Sequence, residues 1–155
     1  MPVRDERRKV SVIVDYLFGR GVSRALPKKG LTYAYSRRSG RLKLVFHDGK
    51  PFVTMKPSGA MALSVHGAQV LAKSPRFLDS CVQVSDDVAE FVRGGKSVFC
   101  KFVVKAGKNV LPRSEVAVVD SGGRVLGVGV AVINGKHMAQ FKSGVAVKVR
   151  DGLGQ

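Results

Sequence analysis

Near the start of the chain the apolar residues recur at helical spacing. Val10, Ile13, Val14, Leu17 and Phe18 fall on one stripe, and Gly19 supplies a stop. Arg4, Arg7 and Arg8 precede that stripe and are expected on its solvent side. After a loop rich in Gly, Lys and Pro, GRGVSRALPKKG, the pattern changes to short apolar runs cut by turn residues. LTYAYS and RLKLVFH read as two strands joined by RRSG, with arginines at the tip. Asp48-Gly49 is a strong two-residue turn signal, so PFVTM reads as a third strand. Pro57-Ser58-Gly59 breaks the chain before a fourth, AMALSV, and HGAQVLAK reads as a short helix packed on the sheet.

The second half has a more regular strand pattern. Ser85, Asp86 and Asp87 mark a helix start, because a short oxygen side chain caps free amides and acids favour the positive end. Val88, Phe91 and Val92 supply its apolar stripe, and Gly94-Gly95 ends it. SVFCKFVV is then expected as one strand, with Val98, Cys100 and Phe102 opposite Phe99, Lys101 and Val103. Three further strands follow, EVAVVD, VLGVGVAVI and GVAVKVRDG, cut by a Gly-Gly turn and by NGKHMAQFKSG. In the last, Val145, Val147 and Val149 alternate with Lys148 and Arg150, which predicts one buried and one cationic face. The whole reads as an α+β chain of two domains, residues 1–78 and 79–155, with the break in the Pro75-bearing segment Ser74–Asp79.

Charge adds a partner to this picture. The 155 residues carry 27 Lys and Arg against 11 Asp and Glu, a net charge of +16. Residues 1–79 alone hold 16 of those cations against 5 acids. Such an excess serves a polyanion, either nucleic acid or an anionic surface. The basic residues sit on strands and loops rather than along one amphipathic helix, which disfavours a membrane surface. No apolar run approaches the roughly 20 residues that span a bilayer, and MPVRDERRKV has no apolar signal core. A cytoplasmic location is expected.

Candidate chemistry is sparse. Cys81 and Cys100 are too few and too far apart for a zinc site, and Cys100 lies in an apolar run. His47, His66 and His137 fall in separate elements, and Asp86-Asp87 is explained by the helix start. Gly94-Gly95-Lys96-Ser97 follows a helix and lacks the glycine spacing of a nucleotide loop. These residues predict no cofactor, no metal and no catalytic group.

From about Val82 to Gly152 the chain resembles a PUA domain, the small β-barrel module of pseudouridine synthases and archaeosine transglycosylases. VAEFVRGGKSVFCKFVV, EVAVVD, VLGVGVAV and GKHMAQFKSGVAVKVRDG carry the resemblance. DYLFGRGVSRAL, RRSGRLKLVF and MKPSGAMALSVHGAQVL resemble the domain that precedes PUA at the C-terminal end of archaeal tRNA-guanine transglycosylases. Where that family often has Arg-Pro-Gly-Asp-Glu-Val, this chain has Leu111-Pro112-Arg113-Ser114-Glu115-Val116, which puts the turn geometry in question. The resemblance implies a small α/β sheet domain followed by a PUA-type mixed β pseudo-barrel. The catalytic barrel of that family is not expected here, since the residues outside the PUA-like part fall far short of the roughly 250 of such a barrel.

The resemblance also implies the function and its site. The protein is expected to bind RNA, specifically tRNA near its acceptor end, in an RNA-modification setting. The alternative is a non-catalytic tRNA-binding subunit that serves a catalytic transglycosylase chain. The loop after the first PUA helix is implied to approach RNA, which singles out Gly94, Gly95, Lys96 and Ser97; their glycine amides and the cation suit phosphate. Lys142, Ser143, Gly144, Lys148 and Arg150 would line the same groove, with Arg93 and Lys101 beside them. In the first half, Arg37, Arg38, Arg41 and Lys43, with Arg20, Arg24, Lys28 and Lys29, would grip phosphates without reading bases. Tyr33 and Tyr35 share one strand face and suit either core packing or stacking on unpaired bases.

Overall fold

The structure, a computed structural model, describes residues 5–154; Arg4 lies outside them. Helix α1 (Glu6–Phe18) starts at Asp5, whose carboxylate accepts from the Arg8 amide at 3.0 Å. It buries Val10, Val14 and Phe18 along one stripe and ends at Gly19. A 3₁₀ turn (Val22–Ala25) then leads into an antiparallel sheet of β1 (Leu31–Tyr35), β2 (Leu42–His47), β3 (Lys50–Met55) and β4 (Met61–Leu63), in that order. Between β2 and β3, Asp48 and Gly49 both take positive φ, 50° and 80°, as a two-residue hairpin with matching twist requires. Helix α2 (Val65–Leu71) sits close on β3; a Cβ at Gly67 would meet the Phe52 carbonyl oxygen at 2.2 Å.

The second layer is a six-stranded mixed sheet. Its strands are β5 (Cys81–Val84), β6 (Val98–Phe99), β7 (Val103–Ala106), β8 (Glu115–Val119), β9 (Val125–Ala131) and β10 (Val145–Gly152). They are ordered β6-β10-β9-β8-β5-β7, with β5 and β8 parallel and the other pairs antiparallel. The two outermost strands, β6 and β7, are neighbours in the chain, so the sheet curls into a nearly closed barrel. This is the expected α+β fold with a mixed β pseudo-barrel.

The expectation of one strand over SVFCKFVV is corrected. A 3₁₀ turn at Cys100–Phe102 divides it, because Val98 pairs with Val147 of β10 whereas Val103 pairs with Val84 of β5. A straight strand cannot bond to both margins of the barrel; the turn hands the chain from one to the other. Three smaller expectations also change. A 3₁₀ turn (Asp86–Val88) precedes helix α3 (Ala89–Arg93), and Ser85 makes no side-chain cap. Asp86 instead accepts from the Ser121 amide and hydroxyl at 3.0 and 2.7 Å, which holds its carboxyl below the usual range. In β10 the alternation is interrupted, since register shifts at either end bury Ala146 beside Val147 and leave Val145 and Val149 half-buried.

Two apolar clusters share the middle strands. Val116, Val118 and Leu126 point into the barrel with Val82, Val84, Ala146 and Val147. Ala117, Val119, Val125 and Val128 face outward, into the cluster of Val14, Phe18, Phe52, Leu63 and Phe77. Burying such a side chain contributes about 1.5–3 kcal/mol, so β8 and β9 draw stability from both faces. The four-stranded sheet and the barrel are therefore joined by a common core, and the surfaces they carry are held in fixed relation.

Candidate nucleic-acid interface

The Gly-Gly loop closes α3. The Gly94 amide donates to the Glu90 carbonyl at 3.1 Å, Gly95 to Val92 at 2.9 Å and Lys96 to Phe91 at 2.9 Å, with Gly95 at φ 89°. This double closure around a left-handed glycine satisfies the last carbonyls of the helix. The glycine amides expected to face phosphate donate to the helix carbonyls in this structure. What the loop presents is Lys96, exposed, and Ser97, whose hydroxyl accepts from the Val149 amide at 3.4 Å. Arg93 is half-buried and pairs with Glu90.

Beside this loop lies a groove of about 360 Å³ floored by Val88, Val92 and Val98 and walled by Phe91, Phe99 and Phe102, with Lys96 and Ser97 at its edge. Phe91 is 63% exposed and Phe99 47% exposed. Sequence periodicity assigned Phe91 to the helix core; the helix is only five residues long, and Val88 and Val92 fill its buried side. The Lys101 ammonium stands 5.0 Å from the centre of the Phe102 ring. Exposed rings flanked by cations suit unpaired bases, whose faces stack while phosphates meet the ammonium groups.

The last strand does lie beside this loop. Val145 of β10 is opposite Phe99 and Val147 opposite Val98. Lys142, Ser143 and Gly144 are exposed on the approach to β10, and the Gly144 carbonyl accepts from the Cys100 amide at 2.9 Å. Lys148 is exposed at the position opposite Val130. Thus Lys96 and Ser97 edge the aromatic groove, Lys101 stands near the Phe102 ring, and the 142–144 loop is tied to Cys100, next to Phe99.

Arg150 does not join them. Its guanidinium binds both oxygens of Glu115, at 3.0 Å for one, and donates to the Leu63 carbonyl at 2.7 Å. The Glu115 side chain is 8% exposed and also accepts from the Leu63 amide. These bonds fasten the barrel to β4, and they raise the Arg150 pKa further, chiefly through the Glu115 hydrogen bonds. Arg150, expected as a phosphate contact, is engaged by Glu115 and Leu63 as a clamp between the layers; the alternation that placed it beside Lys148 carried no information about an acid on β8.

In the four-stranded layer, Arg38 and Arg41 line a groove of about 710 Å³ with Lys9, Lys43 and Lys56, over a floor that includes Ile13, Leu42 and Met55. Among the described residues no acid lines it, so its cations reinforce one another. Arg37 is exposed on the same hairpin but does not line the groove. Tyr33 packs against the core, where burial raises its hydroxyl pKa, and Tyr35 is more exposed on the same strand.

Among the described residues no cluster of three or more His, Cys, Asp or Glu side chains could hold a metal ion. Both cysteines are buried, and burial pushes the Cys81 thiol up to about 12. His47 and His66, placed in separate elements by sequence, meet: Nδ1 of one is 2.8 Å from Nε2 of the other, with Asp48 3.4 Å from His47. Burial and the neighbouring His47 lower the His66 pKa. No helix among the described residues is long and apolar enough to cross a membrane.

Comparison with known proteins identifies both layers. Residues 81–153 match the family model of the PUA domain, and residues 8–76 match the patch-forming domain C2 of tRNA-guanine transglycosylase. The tRNA-guanine(15) transglycosylase of Thermococcus kodakarensis is 36% identical over 98% of this chain, which covers 26% of that protein. The chain spans about a quarter of the length of the curated relatives it matches. Among solved structures, a hypothetical protein from Pyrococcus horikoshii superimposes with a TM-score of 0.73 and 21% identity, over 97% of this chain and 92% of that one. A conserved PUA domain protein from Thermoplasma acidophilum gives 0.70 and 18%, over 100% and 93%. At such identities these two establish the shared fold alone.

Proposed function

The chain carries a patch-forming C2 domain of the tRNA-guanine transglycosylase kind followed by a PUA domain, and from that premise we propose that it binds tRNA at the acceptor end. The observation that carries this reading is the groove of Phe91, Phe99 and Phe102 bordered by Lys96 and Lys101. Unpaired 3′ nucleotides offer the base faces such rings stack on, and a terminus can enter a groove that a duplex cannot. Lys142, Ser143 and Lys148 approach the same nucleotides from the β10 side. The basic groove of Arg38 and Arg41 adds affinity without sequence preference, as phosphate contacts do.

Replacing both Phe91 and Phe99 by Ala tests this directly. Loss of base stacking, about 1–3 kcal/mol per base, predicts a roughly 10- to 100-fold weaker affinity for tRNA. The salt dependence is predicted to stay the same, since no cation is removed. Unchanged affinity in the folded double variant would overturn the assignment.

A second reading extends the first. In the relatives the matched segment is about a quarter of a transglycosylase, so the same grip would present tRNA to a catalytic transglycosylase unit. Co-purification of a transglycosylase catalytic chain with the native protein is the expected outcome if that unit is separate.

A further inference from the structure

Helix α3 stands between two surfaces. Phe91 and Val92 line the aromatic groove, while Arg93 lines a depression of about 440 Å³ together with Lys73 and Arg124. Lys73 is shared in turn with a larger depression, about 870 Å³, that holds Arg20, Arg24 and Arg76. Among the described residues no aromatic ring lines either depression, and no carboxylate lines the larger one. The sequence scatters these cations over segments far apart in the chain; the fold gathers them.

We propose that Arg20, Arg24, Lys73, Arg76, Arg93 and Arg124 form a track for the phosphate backbone of the RNA's paired stem, running from the C2 layer across to the PUA barrel. This rests on the tRNA-binding reading and adds to it where the body of the RNA lies when its end is in the aromatic groove. Six cations without a stacking surface suit a backbone and not bases. The track is also held in place. Arg76 donates to the Arg20 carbonyl at 3.1 Å, and its segment is anchored by Phe77, whose ring meets Phe18 edge-on at 5.5 Å. Asp15 on α1 is engaged by the Ser23 amide, next to Arg24, at 2.8 Å. At the barrel end, buried Asp120 accepts from Arg124 Nε at 3.0 Å while the Arg124 side chain stays 80% exposed. Glu90 similarly holds Arg93. Those two arginines orient as much as they attract, and the net positive field comes from the other four.

The test is the salt dependence of tRNA affinity in Arg24→Gln/Lys73→Gln, two exposed positions whose neutralisation removes no described bond. Each phosphate contact contributes about 0.7–0.9 to the slope of log K against log salt, so the slope should fall by about 1.5 and affinity by roughly tenfold at low salt. A charge-matched control, Lys105→Gln/Lys136→Gln, is expected to keep the original slope, and tRNA should protect Lys73 from amine acylation. A slope equal to the control's, with Lys73 still acylated in the complex, would overturn the track while leaving the groove reading to its own Phe91→Ala/Phe99→Ala test. Absence of any tRNA binding by the unsubstituted protein would overturn both.

Discussion

Glu115 is the residue on which the relation between the two layers turns. Nearly buried, it accepts from the Leu63 amide on β4 and from the Arg150 guanidinium on β10, which itself reaches the Leu63 carbonyl. Removing the acid strands a backbone donor and an arginine that is 35% exposed. Partial exposure of the arginine reduces the penalty below that of a fully buried pair. Glu115→Ala and Arg150→Ala are each predicted to cost about 2 kcal/mol of unfolding free energy. The double variant should cost less than the sum, because each single change already breaks the shared interaction. Denaturant unfolding checks this, and folded Arg150→Ala should retain tRNA affinity. A near-neutral Arg150→Ala with weakened tRNA binding would return Arg150 to the interface.

At the scale of elements, the turn before β8 is held by its own bonds against backbone strain. Arg113 takes φ 72°, a left-handed conformation that costs an L-residue about 1 kcal/mol or more. The turn persists because its bonds over-determine it: Arg113 N donates to the Ala131 carbonyl at 2.8 Å, and Ser114 N to the Leu111 carbonyl at 2.9 Å. Ser114 Oγ also accepts from the Leu111 amide at 3.1 Å. Arg113→Gly is predicted to raise stability by about 0.5–1 kcal/mol, the relieved strain exceeding the added entropy of the unfolded chain. The unfolding midpoint should rise with an unchanged denaturant slope; a lower midpoint would show that the arginine side chain matters more than the backbone. Helix α1, the first four strands and the Asp48-Gly49 hairpin were legible because spacing and turn residues are local signals. The break at Cys100–Phe102 was not, since it depends on which strands lie on either side of the closed barrel.

Over the whole molecule, legibility follows the same division between local and distant causes. The charge excess and the motifs near Gly94–Ser97 and Lys142–Gly144 drew attention to the end of the barrel that carries the aromatic groove. What periodicity missed were residues whose surroundings are set by distant segments: Arg150 by Glu115 and Leu63, His47 by His66, and Lys73 by Arg20 and Arg24. Phe91 and Phe99 left a usable signal, aromatic residues interleaved with Lys96 and Lys101, but apolar spacing alone assigned Phe91 to a core. With both layers sharing one hydrophobic core, the aromatic groove and the cationic depression sit at fixed separation. Under the proposed function the groove takes the unpaired 3′ end of tRNA. The direct measurement is the affinity of the intact chain for tRNA with and without its unpaired 3′ nucleotides, at one salt concentration. Stacking of even one base predicts at least about fivefold weaker binding of the truncated RNA. Equal affinity for the two RNAs would contradict it.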